Sequence, residues 1–207
     1  MGNFIEKFDE IISELSELPF EEKVEAINLM KKCLHHISPF KNEPVDCVMW
    51  VKFDEVESND YNPNQVAPPE MKLLRHSIAE DGYTQPIVAF KEDGYYEVVD
   101  GFHRNRVGKE CQEVTERIKG YLPIVAINES RTGKADRIAS TIRHNRARGK
   151  HAVSAMSDIV LELSRRNWND NKIAKELGME PDEVLRLKQI TGLAELFADK
   201  DFSMAWE

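Results

Sequence analysis

Cysteine is scarce in this chain of 207 residues, which carries only Cys33, Cys47 and Cys111. Their spacing pairs none of them with a neighbour, so it argues against a disulfide framework or a cysteine-based metal site and is typical of reduced thiols. Apolar runs are short as well, because none approaches the ~18 residues of a membrane-spanning helix, and the N-terminus has no signal-peptide pattern. The sequence therefore predicts a cytoplasmic protein that makes no membrane contact.

Positive charge is in deficit. The chain has 28 Lys and Arg residues against 37 Asp and Glu residues, which gives a formal net charge of −9. Non-specific binding of nucleic acid needs a basic surface, so the chain as a whole repels DNA and any DNA contact requires a local patch or a partner. Between residues 131 and 151, however, seven basic residues accompany one acid. Such a local concentration on an acidic protein favours a confined anion such as a nucleotide.

Three successive regions predict an α+β fold. Residues 1–40 carry apolar residues at helical spacing on two segments separated by Pro19, which indicates a helical hairpin. Residues 45–135 mix strand and helix patterns and predict an α/β domain with a small mixed sheet. Residues 136–207 have helical patterns and predict a second, all-α domain. The hairpin either packs on its own domain or serves as an assembly arm for a homodimer or a partner.

Local signals give the expected elements of the middle region. Val45 to Val51 has a strand pattern, and we expect Trp50 to lie in the core. A helix should begin at Pro68 and end at Gly82, because proline suits the first helical position and glycine the position after the last. The sequence Asp93-Gly94 between two apolar runs predicts a β-hairpin turn.

A helix-turn-helix is predicted in the C-terminal region from Ala174, Gly178 and Val184. This spacing supplies a small residue where two helices cross, a glycine for the turn and a β-branched residue that packs the second helix. The second helix would begin within Glu180–Glu183, where three of the four residues are acidic, whereas DNA-reading helices usually present Arg, Gln, Ser or Asn. We therefore expect weak DNA binding by the isolated chain, and contact with a protein or with DNA inside a larger complex.

The run from Asp100 to Arg106 carries the strongest functional signal. A strand pattern is followed by Gly101 and then by His103, Arg104 and Arg106 at the start of a helix pattern. Glycine lets the backbone approach an anion, the first N–H groups of a helix and its dipole favour negative charge, and basic side chains add donors. This arrangement predicts a phosphate site. The alternative is a strand-to-helix turn with a solvated basic face.

Four blocks in this order resemble the ParB/sulfiredoxin-like superfamily across residues 45–195. They are the turn 59–64, the strand start 82–88, the run 101–106 and the run 144–148, and the helix-turn-helix follows them. Over its whole length, hairpin included, the chain is similar to the IbrB family of co-activators of prophage gene expression. Members of that family are paired with IbrA proteins, which resemble phosphoadenosine-phosphosulfate reductases. The resemblance implies a transcription regulator with a reductase-like partner of the IbrA type.

The resemblance also implies a nucleotide ligand, because partition proteins of this superfamily bind the phosphates of CTP, with Mg²⁺, through the third and fourth blocks. The implied cofactor is a nucleoside triphosphate or a related adenine nucleotide with Mg²⁺. The matching positions here are Gly101, His103, Arg104, Arg106, Asn145 and Arg148. Of these, Asn145 is also the implied metal ligand. This chain has His144 where partition proteins have a Glu that helps to hold Mg²⁺, a poor exchange for a cation that prefers oxygen.

Enzymes also occur in this superfamily. Sulfiredoxins have a nucleophilic cysteine where this chain has Phe102, so reduction of a sulfinic acid by that route is not expected. Free serine kinases of this fold carry a motif similar to Asp100-Gly101-Phe102-His103-Arg104. A small-molecule phosphotransferase or NTPase is therefore the alternative to a nucleotide-binding regulator, although no acidic residue is singled out as its base.

Overall fold

The computed structural model describes residues 2–59, 67–127, 134–146 and 153–197. Within these ranges, no helix combines the length and apolar character needed to cross a membrane. The chain begins with the predicted helical hairpin, formed by α1 (Gly2–Glu17) and α2 (Phe20–Ile37). Pro19 occupies the position just before α2, where its fixed φ of −53° and missing N–H interrupt the helix and start a new one.

A five-stranded mixed sheet forms the centre of the following domain, in the order β1-β5-β3-β4-β2. β1 pairs antiparallel with β5 and β3 pairs antiparallel with β4, whereas β3–β5 and β2–β4 are parallel. A mixed sheet with helices before, between and after its strands confirms the predicted α+β class. The strands are β1 (Met49–Lys52), β2 (Val56–Glu57), β3 (Ile87–Lys91), β4 (Tyr96–Asp100) and β5 (Tyr121–Ala126).

The first strand is shorter than the sequence predicts. A 3₁₀ turn occupies Pro44–Asp46, with the Cys47 N–H bonded to the Pro44 carbonyl, so the chain becomes extended only at Met49. The expectation that Trp50 lies in the core is wrong. Side chains alternate along a strand, so Met49 and Val51 are buried while Trp50 is half-buried on the opposite face.

Three helices pack around the sheet: α3 (Pro68–Asp81), α4 (Phe102–Glu110) and α5 (Gln112–Arg117). α3 begins at the predicted proline and ends before Gly82, whose φ of 78° suits glycine. α4 packs closely on the sheet, because a side chain at Gly108 would collide with Leu122 and Tyr83. These contacts hold the second half of α4 close to β5.

The C-terminal region contains α6 (Lys134–Arg146), α7 (Val153–Arg165), α8 (Asp170–Leu177) and α9 (Pro181–Phe197), which share one apolar core. The helix-turn-helix prediction is confirmed between α8 and α9. Gly178 has a φ of 66° and donates its N–H to the Ala174 carbonyl, and Val184 is fully buried. α6 contacts both β4 and α8, so this helix connects the sheet to the helical core.

Candidate phosphate-binding site

The predicted phosphate site lies where β4 ends and α4 begins. Gly101 joins them with φ 90° and ψ 25°, a left-handed conformation that favours glycine. The first helical hydrogen bond runs from the Asn105 N–H to the Gly101 carbonyl at 2.9 Å. The N–H groups of residues 102–104 therefore have no acceptor within the helix, and those of Phe102 and His103 have none elsewhere in the described ranges. Such a helix start favours a bound anion.

Arg104 folds back over the turn instead of pointing away from the domain. Its Nη2 lies 2.9 Å from the place where a Cβ on Gly101 would be, so the glycine also makes room for the guanidinium. Nη1 donates to Gln85 Oε1 at 3.2 Å, and Nη2 donates to the Pro86 carbonyl at 3.2 Å. Nη2 also forms an ion pair with Asp100 Oδ2 at 3.4 Å, and both side chains are largely buried. Arg104 thus holds the end of β4 against the start of β3.

His103 presents two unused ring nitrogens beside the helix start. Both Nδ1 and Nε2 are buried, and neither has a hydrogen-bond partner among the described residues. Burial lowers the pKa of His103, and the positive charge of Arg106 lowers it further. The Phe102 ring meets the imidazole edge to face, with centroids 5.3 Å apart. A neutral imidazole held in this way can donate one hydrogen bond to an oxyanion and gains a second donor when protonated.

Arg106 lies along the outer face of α4. It forms a two-pronged ion pair with Glu110, with Nε–Oε1 and Nη2–Oε2 both at 2.9 Å, and both side chains are about half exposed. Exposed pairs of this kind are worth about 0–1 kcal/mol. Arg106 can therefore leave Glu110 for a stronger acceptor such as a phosphate at small cost.

A buried polar cluster supports the turn from behind, and sequence reasoning missed it. Asn105 Nδ2 donates to Ser58 Oγ at 3.0 Å, while Asn59 Nδ2 donates to the Val98 carbonyl at 2.6 Å and to Thr141 Oγ1 at 3.4 Å. Both asparagines are almost fully buried, and neither amide oxygen has a partner within the described ranges. The cluster joins α4, β4 and α6. In the sequence, the only sign of it is a polar residue, Asn105, at an inward-facing position of a helix.

The remaining predicted site residues are less well defined by the structure. Asn145 lies on α6, one helical turn beyond Thr141, which places its backbone on the helix that contacts the cluster. Arg148 and residues 60–64 of the first block lie outside the described residues. The predicted site residues that the structure does bring together at one turn are Gly101, His103 and Arg104, with Arg106 on the next turn of the helix.

The described donors do not form a Mg²⁺ site. In the parts of the chain that the structure describes, no three His, Cys, Asp or Glu side chains approach closely enough to hold a metal. Asp100, the carboxylate nearest the turn in sequence, is ion-paired with Arg104. Phosphate oxygens fit the turn, because the Phe102 and His103 N–H groups and the His103 ring have no partner among the described residues.

Comparison with known families agrees with this architecture. A family model described as the ParB N-terminal domain matches residues 39–141, and one described as the IbrB-like C-terminal HTH domain matches residues 151–199. The two matches define the class, a ParB-type α/β domain followed by an IbrB-like helix-turn-helix. The chain belongs to the same family as the uncharacterized protein YbdM of Escherichia coli (strain K12). YbdM is 56% identical over 193 residues, which cover 93% of this chain and 91% of YbdM.

Solved structures show a more distant likeness in chain path. The Caulobacter crescentus partitioning protein ParB complexed with CTP-γ-S has a TM-score of 0.39 at 18% identity, over 72% of this chain and 83% of that one. The same protein complexed with the centromeric parS site has a TM-score of 0.45 at 14% identity, over 73% of this chain and 79% of that one. A Pnob8-like ParB-N domain has a TM-score of 0.46 at 10% identity, over 76% of this chain and 75% of that one.

Proposed function

We propose that this protein is a nucleotide-binding regulator of the co-activator type, in which the Asp-Gly-Phe-His-Arg turn binds the phosphates of a nucleotide. One observation carries the proposal: the N–H groups of Phe102 and His103 at the start of α4 and both buried ring nitrogens of His103 lie together at a glycine turn and have no hydrogen-bond partner among the described residues. Buried polar groups such as the His103 ring nitrogens normally have partners, so unused ones beside a helix start favour a missing ligand. A phosphate supplies several acceptor oxygens at once.

The proposed ligand is a nucleoside triphosphate or a related adenine nucleotide. The N–H groups of Phe102 and His103 and the His103 ring would bind its phosphates, and Arg106 would move from Glu110 to join them. Asn145 and Arg148 are proposed to approach the nucleotide from α6 and from the residues after it. Arg104 would act beside them by holding the turn in place through Asp100 and Gln85.

A ligand screen by thermal shift tests this proposal, using ATP, ADP, CTP and phosphoadenosine phosphosulfate with and without Mg²⁺. A ligand at about 100 times its dissociation constant stabilises the folded state by about 2.7 kcal/mol. The best ligand is then titrated by calorimetry against His103→Phe, which should weaken binding about tenfold because it removes a donor to a charged group. His76→Phe, at an exposed histidine of α3, is the matched control. No stabilisation by any of the four compounds would refute the nucleotide proposal.

The helix-turn-helix is proposed to contact DNA only together with a partner. The start of α9 is acidic, and Leu185 and Ile190 are nearly half exposed on this helix, which suits a protein contact. Two basic residues of the region already pair inside the domain, Arg143 with Glu176 and Lys188 with Asp170. The resemblance to IbrB proteins makes a phosphoadenosine-phosphosulfate-reductase-like protein of the IbrA type the proposed partner.

Fluorescence anisotropy with duplex DNA tests the DNA part of the proposal. The isolated chain should bind weakly and with little sequence preference at physiological salt, and co-purification with an IbrA-type protein should strengthen DNA binding. Tight, sequence-specific binding by the isolated chain would contradict the requirement for a partner.

The enzymatic alternative of the free-serine-kinase type uses the same turn. Its motif is present, but the Asp100 carboxylate is ion-paired with Arg104 and is therefore poorly suited to activate an acceptor hydroxyl. Measuring phosphate release from the bound nucleotide by ³¹P NMR distinguishes the enzyme from the regulator. Turnover above the uncatalysed rate would favour the enzyme.

A further inference from the structure

A second site lies between the hairpin and the α/β domain, away from the glycine turn. We infer that this pocket binds a small planar aromatic acid. The pocket has a volume of about 400 Å³ and is bounded by α2 on one side and by β1, β5 and the end of α5 on the other. Ligand pockets usually fall in the range of about 300–1,000 Å³. None of its lining residues belongs to the 101–106 turn, so the inference is independent of the proposed nucleotide site.

The walls of the pocket are largely aromatic. Phe20 and Tyr121 meet edge to face with centroids 5.6 Å apart, and Trp50 and Tyr83 complete the aromatic surface. Tyr83 directs its hydroxyl away into the protein, where it donates to the Arg104 carbonyl at 2.8 Å, and burial raises its pKa to about 12. Its ring is thus held rigidly, and the face that it offers the pocket is apolar. Such rings stack well on a planar aromatic ligand.

Cations at the rim give the pocket its charge preference. Lys119 Nζ lies 4.3 Å from the centre of the Phe20 ring, and Arg117 donates to the Ile78 and Ala79 carbonyls at the end of α3. Neither forms an ion pair with a carboxylate in the described parts of the chain. Three acids act electrostatically on the pocket residue Tyr121: Glu21, which is ion-paired with Lys52 at 3.3 Å, Glu25 and Glu55. A carboxylate attached to an aromatic ring could therefore pair with the Lys119 ammonium at the rim while its ring enters the pocket.

The backbone at the rim keeps Lys119 in place. Lys119 has a φ of 50° and Gly120 a φ of 76°, so the chain turns sharply after α5 and directs the ammonium towards Phe20. Asparagine tolerates a positive φ well. Lys119→Asn therefore removes the charge with little disturbance of the turn, and Lys119→Arg keeps the charge.

Calorimetry with 2-naphthoate and its uncharged analogue 2-naphthalenemethanol tests the inference on the full chain. The carboxylate should bind about tenfold more tightly than the alcohol, as expected for a charge-assisted contact. Lys119→Asn should reduce that ratio about fivefold without affecting the alcohol, and Lys119→Arg should retain it. Lys72→Asn, at an exposed lysine of α3 outside the pocket lining, is the matched control and should change nothing.

Filling the pocket tests its location. Val24→Trp places a large side chain in the pocket and should abolish binding of both probes, whereas Leu34→Trp, on the exposed part of the same helix, should not. Phe20→Leu, at a partly exposed ring, replaces Val24→Trp if the latter does not fold, and should weaken both probes at least threefold. Equal binding of the two probes, no binding of either, or full binding in the pocket variants would overturn the inference.

Discussion

Two arginines two positions apart on α4 have different roles in the free protein. Arg104 is largely buried and bonds to Asp100, Gln85 and the Pro86 carbonyl, whereas Arg106 makes an exposed pair with Glu110. The sequence offers both as phosphate donors. The structure indicates that Arg104 shapes the turn, while Arg106 remains available at low cost.

Replacing Arg104 should therefore destabilise the fold. Arg104→Ala removes the ion partner of a buried carboxylate, so the free energy of unfolding should fall by about 2–4 kcal/mol in urea denaturation. Arg106→Ala, the control, should change it by no more than about 0.5 kcal/mol. Adding Asp100→Asn to Arg104→Ala should restore part of the loss. Equal effects of the two arginine variants would contradict this division of roles.

His103 should couple phosphate binding to proton uptake. Its pKa lies below the ordinary value of about 6.5 in the free protein, so the fold favours the neutral ring and loses stability as pH falls below that value. A bound phosphate favours the charged ring and raises this pKa, so nucleotide affinity should increase as pH falls from about 8 to about 6.

Calorimetry in two buffers with different ionisation enthalpies measures this proton uptake. The wild-type protein should take up protons on binding near pH 6.5, and His103→Gln should not. Binding without proton uptake in the wild type, or the same uptake in the variant, would remove His103 from the site.

At the scale of elements, signals confined to a few neighbouring residues predicted the structure well. The α3 boundaries at Pro68 and Gly82, the hairpin turn at Asp93-Gly94 and the helix-turn-helix follow from residue types that restrict the local backbone. The 101–106 turn was found for the same reason, because a positive φ at Gly101 and a helix start are local properties.

Contacts between distant residues could not be read from the sequence. Asn59 and Thr141 are 82 positions apart, and Arg104 reaches Gln85 across 19, so no periodicity connects them. The side chain of Asn28 donates to the Trp50 carbonyl at 2.7 Å and accepts from the Trp50 N–H at 3.0 Å, which pairs α2 with an edge strand. An asparagine on a helix gives no hint of such a partner.

The cap of α8 gives a test at this scale. The Asn169 side chain accepts a hydrogen bond from the Lys172 N–H at 2.8 Å. Asn169→Ala should lower the free energy of unfolding by about 1 kcal/mol, as loss of an N-terminal cap typically does. Lys175→Ala, on an exposed position of the same helix, should be close to neutral in the same denaturation experiment. A neutral Asn169→Ala would mean that α8 does not depend on its cap.

At the scale of the whole molecule, the two arms of the hairpin differ. α2 is attached to the domain through Asn28 and through Lys31, which donates to the Val48 carbonyl at 2.9 Å. α1 contacts α2, and its apolar residues remain 43–55% exposed at Ile5, Phe8, Ile11 and Ile12. That residues 1–40 form one separable assembly arm stays a prediction. Removing all of these residues would also uncover β1. The assembly role is therefore best tested on α1.

Charged substitutions on α1 make that test in the full chain. Phe8→Glu with Ile12→Glu should convert a dimer or partner complex to the free monomer in light scattering, because the apolar face would no longer pack. The paired control, Glu6→Gln with Glu10→Gln, changes charge on other positions of α1 and should leave assembly intact. A wild-type chain that is monomeric alone and with its partner would contradict the assembly role.

The most direct test of the nucleotide site is a ¹H–¹⁵N NMR titration of the full chain with the nucleotide that stabilises it best. If the phosphates bind at the start of α4, the amide signals of Phe102 and His103 should shift most and saturate together, because their N–H groups would gain acceptors. The amides of α8 and α9 should shift little. Saturable binding that leaves these two amide signals unmoved would contradict the account.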